Sequence, residues 1–272
     1  MNQKLPQRIA SLWLFFLVYI SASIITAAPI IALSFIFDFD NIVLLALASI
    51  PANLIVIFYY TRNRFSSAFS GAFASNSINY SAANVGLILL VTLCCIVLLD
   101  PVQAFLPLND WGREETKELL SKPLWGFLLA CIAAPVLEEI IFRGIVLKGL
   151  LQSNSPVKAI VISALLFGII HFNPPQSIQA FLLALLIGWI YYRTGDLSLC
   201  ILVHFINNAL SFSLFQITSL KDFDTLYSIL NNNTLYFSIE LTTLLLFIGG
   251  LISLNKLFRL SNNLASNPVT AL

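Results

Sequence analysis

The chain has two histidines, His171 and His204, and both lie inside apolar runs; so do the adjacent acids Glu138 and Glu139, with Arg143 four residues on. Only one other ionisable residue, Glu240, falls at comparable depth in such a run. A charged group at the centre of a bilayer costs about 2.5–3.5 kcal/mol on insertion scales, so residues of this kind face a bundle interior and mark function. Carboxylate and imidazole are also the side chains suited to taking a proton from a reacting group and returning it. Proton transfer is the chemistry these residue types can support.

Three short constellations hold them. In Ala134-Pro135-Val136-Leu137-Glu138-Glu139-Ile140-Ile141-Phe142-Arg143-Gly144, Glu139 and Arg143 stand i, i+4 with the acid first, the better order for a helical ion pair. Glu138 sits about 100° round the same helix and is free for another task. A structural ion pair accounts for Glu139 and Arg143 but leaves Glu138 unexplained, so Glu138 is the expected functional acid. Pro135 deletes a backbone bond one turn earlier and can kink the helix. In Phe167-Gly168-Ile169-Ile170-His171, followed by Phe172-Asn173-Pro174-Pro175, the prolines end a helix close to His171 and leave carbonyls available beside it. Taken alone, His171 fits equally well as a histidine bonded to a neighbouring helix. In His204-Phe205-Ile206-Asn207-Asn208, His204 and Asn208 share one face at i, i+4, and Asn207 is the competing amide.

Depth decides whether these groups can meet. With a rise of 1.5 Å per residue, Glu138 lies ~18 Å along its helix, His171 ~21 Å and Asn208 ~17 Å, with Arg143 and His204 at ~10 Å. Three helices thus bring polar groups to compatible levels, and a single site is the economical reading.

The elements that position them must cross a membrane. Of 272 residues, 58% are hydrophobic and only 10% charged, against about 25% charged in a soluble domain. Fourteen basic residues face thirteen acids, a net charge of +1. That balance excludes a nucleic-acid partner, which needs a basic excess, and excludes disorder. Eight apolar stretches approach the ~20 residues that span a bilayer core: Leu12–Phe37, Ile42–Tyr60, Val85–Leu99, Leu124–Gly149, Val157–His171, Ile178–Tyr192, Leu197–Phe215 and Leu235–Phe258. The expected fold is an all-α polytopic bundle, residues 1–272 forming one integral membrane domain around a motif-bearing core at 124–215. With eight spans, one side collects Lys4, Arg8, Arg62, Arg64, Lys148, Lys158, Arg193, Lys256 and Arg259, and the other only Arg113, Lys117, Lys122 and Lys221. The positive-inside rule then places both termini in the cytoplasm; a prokaryotic plasma membrane is the expected location. Cys94, Cys95, Cys131 and Cys200 all fall in apolar runs, so buried reduced thiols are expected rather than a disulfide framework. Residues 65–84 suggest a short interfacial helix, and Asp110–Lys122 a charged external helix whose charges form a solvated face.

Glu-Glu-x-x-x-Arg, Phe-x-x-x-His and His-x-x-x-Asn, in that order on successive membrane helices, resemble the CPBP family of CAAX proteases and bacteriocin-processing proteins, and within it the type II CAAX prenyl endopeptidases. All three motifs match, as Glu138-Glu139-x-x-x-Arg143, Phe167-x-x-x-His171 and His204-x-x-x-Asn208. The resemblance implies an intramembrane endopeptidase acting on a peptide or protein substrate at the bilayer. It implies that Glu138 is the general base, that His171 helps to position the water, and that His204 and Asn208 stabilise the oxyanion of the tetrahedral intermediate, as acyl transfer requires. Glu139 and Arg143 would hold the first motif in place. No cofactor is preferred. The alternative is a catalytic zinc on Glu138, His171 and His204, a two-histidine, one-carboxylate set, although the His-Glu-x-x-His motif is absent. Two readings outside hydrolysis are a membrane immunity or scaffold protein braced by the same residues, and a transporter with a Glu–His proton relay. Glu240, near the external start of its span, is expected to stand apart from the site. The sequence does not name the substrate or the oligomeric state.

Overall fold

The computed structural model describes residues 6, 11–37, 42–61, 82–106, 108–217 and 225–266, and among them every regular element is a helix. In chain order these are α1 (Leu12–Ser34), α2 (Ile42–Thr61), α3 (Ala83–Phe105), α4 (Arg113–Leu120), α5 (Pro123–Leu150), α6 (Pro156–Ile169), α7 (Pro174–Thr194), α8 (Leu197–Gln216), α9 (Leu226–Leu230) and α10 (Asn233–Ser266). Seven are long and apolar enough to cross a membrane. The eighth expected span, α6, has only 14 residues, about 21 Å at the α-helical rise. Of the eight stretches expected to cross, the short Val157–His171 stretch is the one without a full-length helix, so the count is corrected to seven plus this short helix. Its shortness follows from Asn173-Pro174-Pro175, since prolines cannot continue a helix and instead start the next one.

Local chemistry sets the other boundaries. Pro123, Pro156 and Pro174 each open a helix, where a missing N–H is harmless. Asp196 caps α8, its carboxylate accepting from the N–H groups of Ser198 and Leu199. In α4, Glu114 and Glu115 occupy the first turn, where acids complement the helix dipole; a charged helix is present within Asp110–Lys122, where one was expected. The interfacial helix expected over 65–84 falls outside the described residues except where α3 begins.

α5 is the axis of the bundle, packed by α2, α6 and α8. α6 and α7 form a tight antiparallel hairpin, α1 pairs with α2, and α3 with α10. In lipid there is no hydrophobic force to bring helices together, so close packing must supply the attraction. Phe142 of α5 does this from full burial, 5.9 Å from the Phe15 ring of α1 and 5.1 Å from Phe167 of α6; edge-to-face pairs of this kind contribute about 0.5–1.5 kcal/mol each. Gly168 sets the α6–α7 distance, because a Cβ there would lie 2.6 Å from the Ser177 carbonyl oxygen. All four cysteines are free and buried, in line with their apolar surroundings.

α5 is not a uniform helix. A short α-helical segment, Ala134–Glu139, is flanked by two π-helical ones, Phe127–Ala133 and Ile140–Leu147. Such widened turns are uncommon and frequently mark functional sites. Both acids of the first motif ride on the segment between them.

Candidate active site

Glu139 is completely buried and its Oε1 is the hub of the site. It accepts a hydrogen bond from Arg143 Nη1 at 2.8 Å, the i, i+4 pair read from the sequence. It also accepts from His204 Nδ1 at 2.9 Å, across to α8. The pair is therefore a triad spanning two helices, and the carboxylate fixes which ring nitrogen of His204 carries the donated proton. A second nitrogen whose partner is set by the first is the usual way an imidazole is aimed. His204 Nε2 then faces Glu138, 3.9 Å from its Oε2. That is attraction range but too long for a direct hydrogen bond. Glu138 keeps 17% of its side chain exposed while Glu139 keeps none. Two adjacent, identical acids thus meet opposite surroundings, one locked and one open.

Arg143 is secured on its other faces as well. Its Nη2 reaches the Ala184 carbonyl of α7 at 3.4 Å, and its guanidinium lies over the Phe167 ring, 4.9 Å from the centroid. The same ring meets His171 edge-on at 5.0 Å and His204 at 5.6 Å. Phe167 was visible in the sequence only as the first letter of a motif; the structure makes it the packing surface shared by Arg143 and both histidines.

His171 stands in the turn just beyond α6, half-buried, with Nδ1 donating to the Phe167 carbonyl at 2.8 Å. This is one of the carbonyls freed by the proline-terminated helix end. The bond leaves Nε2 with its lone pair, an acceptor able to orient a water.

Asn208 belongs to a different device. Ala134 N–H bonds to the Leu129 carbonyl, five residues back. In that register the next carbonyl, Ala130, would wait for the N–H of residue 135, which is proline and has none. Asn208 Nδ2 fills the vacancy from α8 at 2.7 Å. The carbonyl orphaned by Pro135 is thus Ala130 rather than the residue an α-helical register would give. The Asn208 amide retains one N–H, and its Oδ1 accepts from Asn207 at 3.0 Å.

The structure therefore brings Glu138, Glu139, Arg143 and His204 into one cluster, seats His171 on their shared aromatic ring, and holds Asn208 one turn along from His204. Among the described residues no three His, Cys, Asp or Glu side chains converge to hold a metal ion. Glu138, His171 and His204 are not gathered into one coordination sphere.

Residues 120–210 match the family described as Rce1-like, type II CAAX prenyl endopeptidase. The resemblance carried by the three motifs is shown over that segment. It runs from the last residue of α4 to just past Asn208 and includes all six candidate residues. No curated protein and no solved structure matches the chain. An Rce1-like segment implies CAAX-type endopeptidase activity within the membrane, in an integral membrane protein.

Proposed function

We propose that the Rce1-like segment hydrolyses a peptide bond in a membrane-associated or lipidated substrate, with water activated by Glu138 and without a metal. The observation that carries this reading is the contrast at positions 138 and 139. Glu139 is consumed by Arg143 and His204, whereas Glu138 is open on one side and faces His204 Nε2 on the other. Glu138 takes a proton from water while His171 Nε2 accepts the water's second hydrogen and orients it. The hydroxide adds to the scissile carbonyl. The resulting oxyanion accepts from the remaining N–H of Asn208 and from His204 Nε2–H when that ring carries both protons. Two carboxylates facing one guanidinium and one imidazolium leave the cluster formally neutral in that state. Glu138 then returns its proton to the leaving nitrogen as the tetrahedral intermediate collapses. Donors held in a water-poor site are effective because they need no reorganisation when charge develops.

The test is a cleavage assay with the purified protein on a farnesylated peptide ending in a CAAX tetrapeptide. Glu138→Gln keeps the shape and removes the base. The expected loss is about 10²–10⁴-fold. Cleavage by Glu138→Gln at the wild-type rate overturns the assignment.

The proposed orientation, with both termini cytoplasmic in a prokaryotic plasma membrane, rests on the basic residues concentrated on one side. It is compatible with a short α6. The turn after α6 meets the 110–112 segment at the Pro123 end of α5, so α6 still runs the chain back along α5. A reporter active only outside the membrane, fused to the C-terminus, should be silent; a strong signal reverses the topology.

A further inference from the structure

The turn that carries His171 is held by residues outside all three motifs. α6 stops at Ile169, and the next turn closes with His171 N–H to the Gly168 carbonyl and Phe172 N–H to the Ile169 carbonyl, both at 3.2 Å. Phe172 then adopts φ of +51°, a left-handed conformation that a bulky residue keeps only when its surroundings impose it. Those surroundings are the segment just before α4. Trp111 Nε1–H donates to the Phe172 carbonyl at 2.6 Å, and Asn173 Nδ2 donates to Asp110 Oδ1 at 2.8 Å. Gly112 lies flat against the same amide, where a Cβ would stand 3.3 Å from Asn173 Nδ2.

Asn173 confirms the direction of the constraint. It occupies the N-cap of α7, where an asparagine ordinarily bonds the N–H groups of its own helix. Here it makes no capping bond. Pro174 and Pro175 have no N–H to offer, which leaves only that of Gln176 within capping reach, and the buried amide is turned to Asp110 instead. The far end of the same segment is also tied down: Gln216 Nε2 at the end of α8 donates to the Leu120 carbonyl at 2.9 Å. Residues 110–120 therefore join the helix of His204 and Asn208 to the turn of His171. That connects the oxyanion side of the site to the water side.

We propose that Asp110 and Trp111 are positioning residues, which set the direction of His171 Nε2 by clamping the Phe172–Asn173 turn. The inference deepens the hydrolase reading and rests on it for its kinetic consequence. It has a separate structural consequence that does not. Trp111 and Phe172 are each 63% exposed, so removing the indole N–H opens no cavity, and a folding defect is not the expected outcome. Misplacing a catalytic group by a fraction of its bond length slows turnover without weakening ground-state binding.

The experiment uses the full-length protein and the farnesylated CAAX peptide, with Trp111→Phe, Asp110→Ala and Asp110→Asn. Trp111→Phe and Asp110→Ala should lower kcat by about 10- to 100-fold with KM and melting temperature unchanged. Asp110→Asn keeps an oxygen acceptor for Asn173 and should recover most of the rate. In parallel, nitrogen-15 NMR of the imidazoles reads the geometry directly. The chain has only two histidines, and His171→Ala identifies the signal of each. Trp111→Phe should move or broaden the His171 signal and leave His204 in place. An unmoved His171 signal, or full kcat in Asp110→Ala while Glu138→Gln is inactive, overturns the positioning role. If Glu138→Gln cleaves like wild type, the hydrolase reading fails instead, and the NMR result still decides the clamp.

Discussion

Two groups of acids lie within the spans, and they are handled in opposite ways. At the centre, Glu139 is answered by cationic or protonated side chains from α5 and α8, Arg143 and His204. At the periphery, Asp100 in α3 is answered by backbone and phenol. It accepts from the N–H groups of Leu226 and Tyr227 at the start of α9 and from Tyr236 Oη of α10 at 3.0 Å. Glu240 lies near it, with a buried Oε1 that has no hydrogen-bond partner. The central arrangement fixes the rotation of two helices about an ionic hub and aims a third group, Glu138, at the same imidazole. The peripheral arrangement is a cap that fastens α9 and α10 to the end of α3. An acid inside a membrane protein is thus informative through its partners, not through its depth.

The largest expected effect lies at the hub. Glu139→Gln leaves Arg143 buried without its counter-charge, and breaking a buried pair from one side costs about 3–5 kcal/mol. A thermal melt should fall accordingly, and neutralising Arg143 as well, as Arg143→Met, should recover part of the loss. A Glu139→Gln protein that melts like wild type but is inactive, beside an active Glu138→Gln, would exchange the roles of the two acids. A smaller effect belongs to the cap. Asp100→Ala leaves two N–H groups unpaired and should lower stability by about 1–3 kcal/mol, while cleavage per folded molecule stays unchanged. If cleavage falls with it, the two groups are coupled and the comparison is wrong. The smallest belongs to Glu240. Glu240→Gln should leave cleavage within about twofold of wild type, as expected of a substitution outside the central cluster. A loss as severe as that of Glu138→Gln would bring Glu240 into the site.

Much of the centre was legible in the sequence because it depends on spacing along one helix. The pair Glu139–Arg143 follows from i, i+4, and so does the shared face of His204 and Asn208. The helix end beside His171 follows from Pro174 and Pro175. The bond from His204 to Glu139 was not legible, since it depends on how α5 and α8 are rotated toward each other. Nor was the Asn208–Ala130 bond, because the widened register of Phe127–Ala133 moves the orphaned carbonyl by one residue. The bonds of Asp110 and Trp111 to the turn after α6 were not legible either, because their partners lie more than sixty residues away and Asp110 reads as one charge of a solvated face. The stretch Val157–His171 runs two residues past the end of α6, because Ile170 and His171 follow without a break in the apolar run and the helix stops at Ile169.

The interrupted winding of α5 also separates two requirements that a straight helix would tie together. In a regular helix each residue turns the chain by about 100°, so re-aiming one side chain about the axis re-aims every other. Between Pro123 and Leu150 the turning is slower in two stretches and regular in the three that flank and separate them. The angular phase of Glu138 and Glu139 is set by those two stretches, while the ends of the span keep their own bearings toward lipid and loops. The short segment between the two widened stretches therefore meets α8 on a bearing that the two ends of the rod do not dictate.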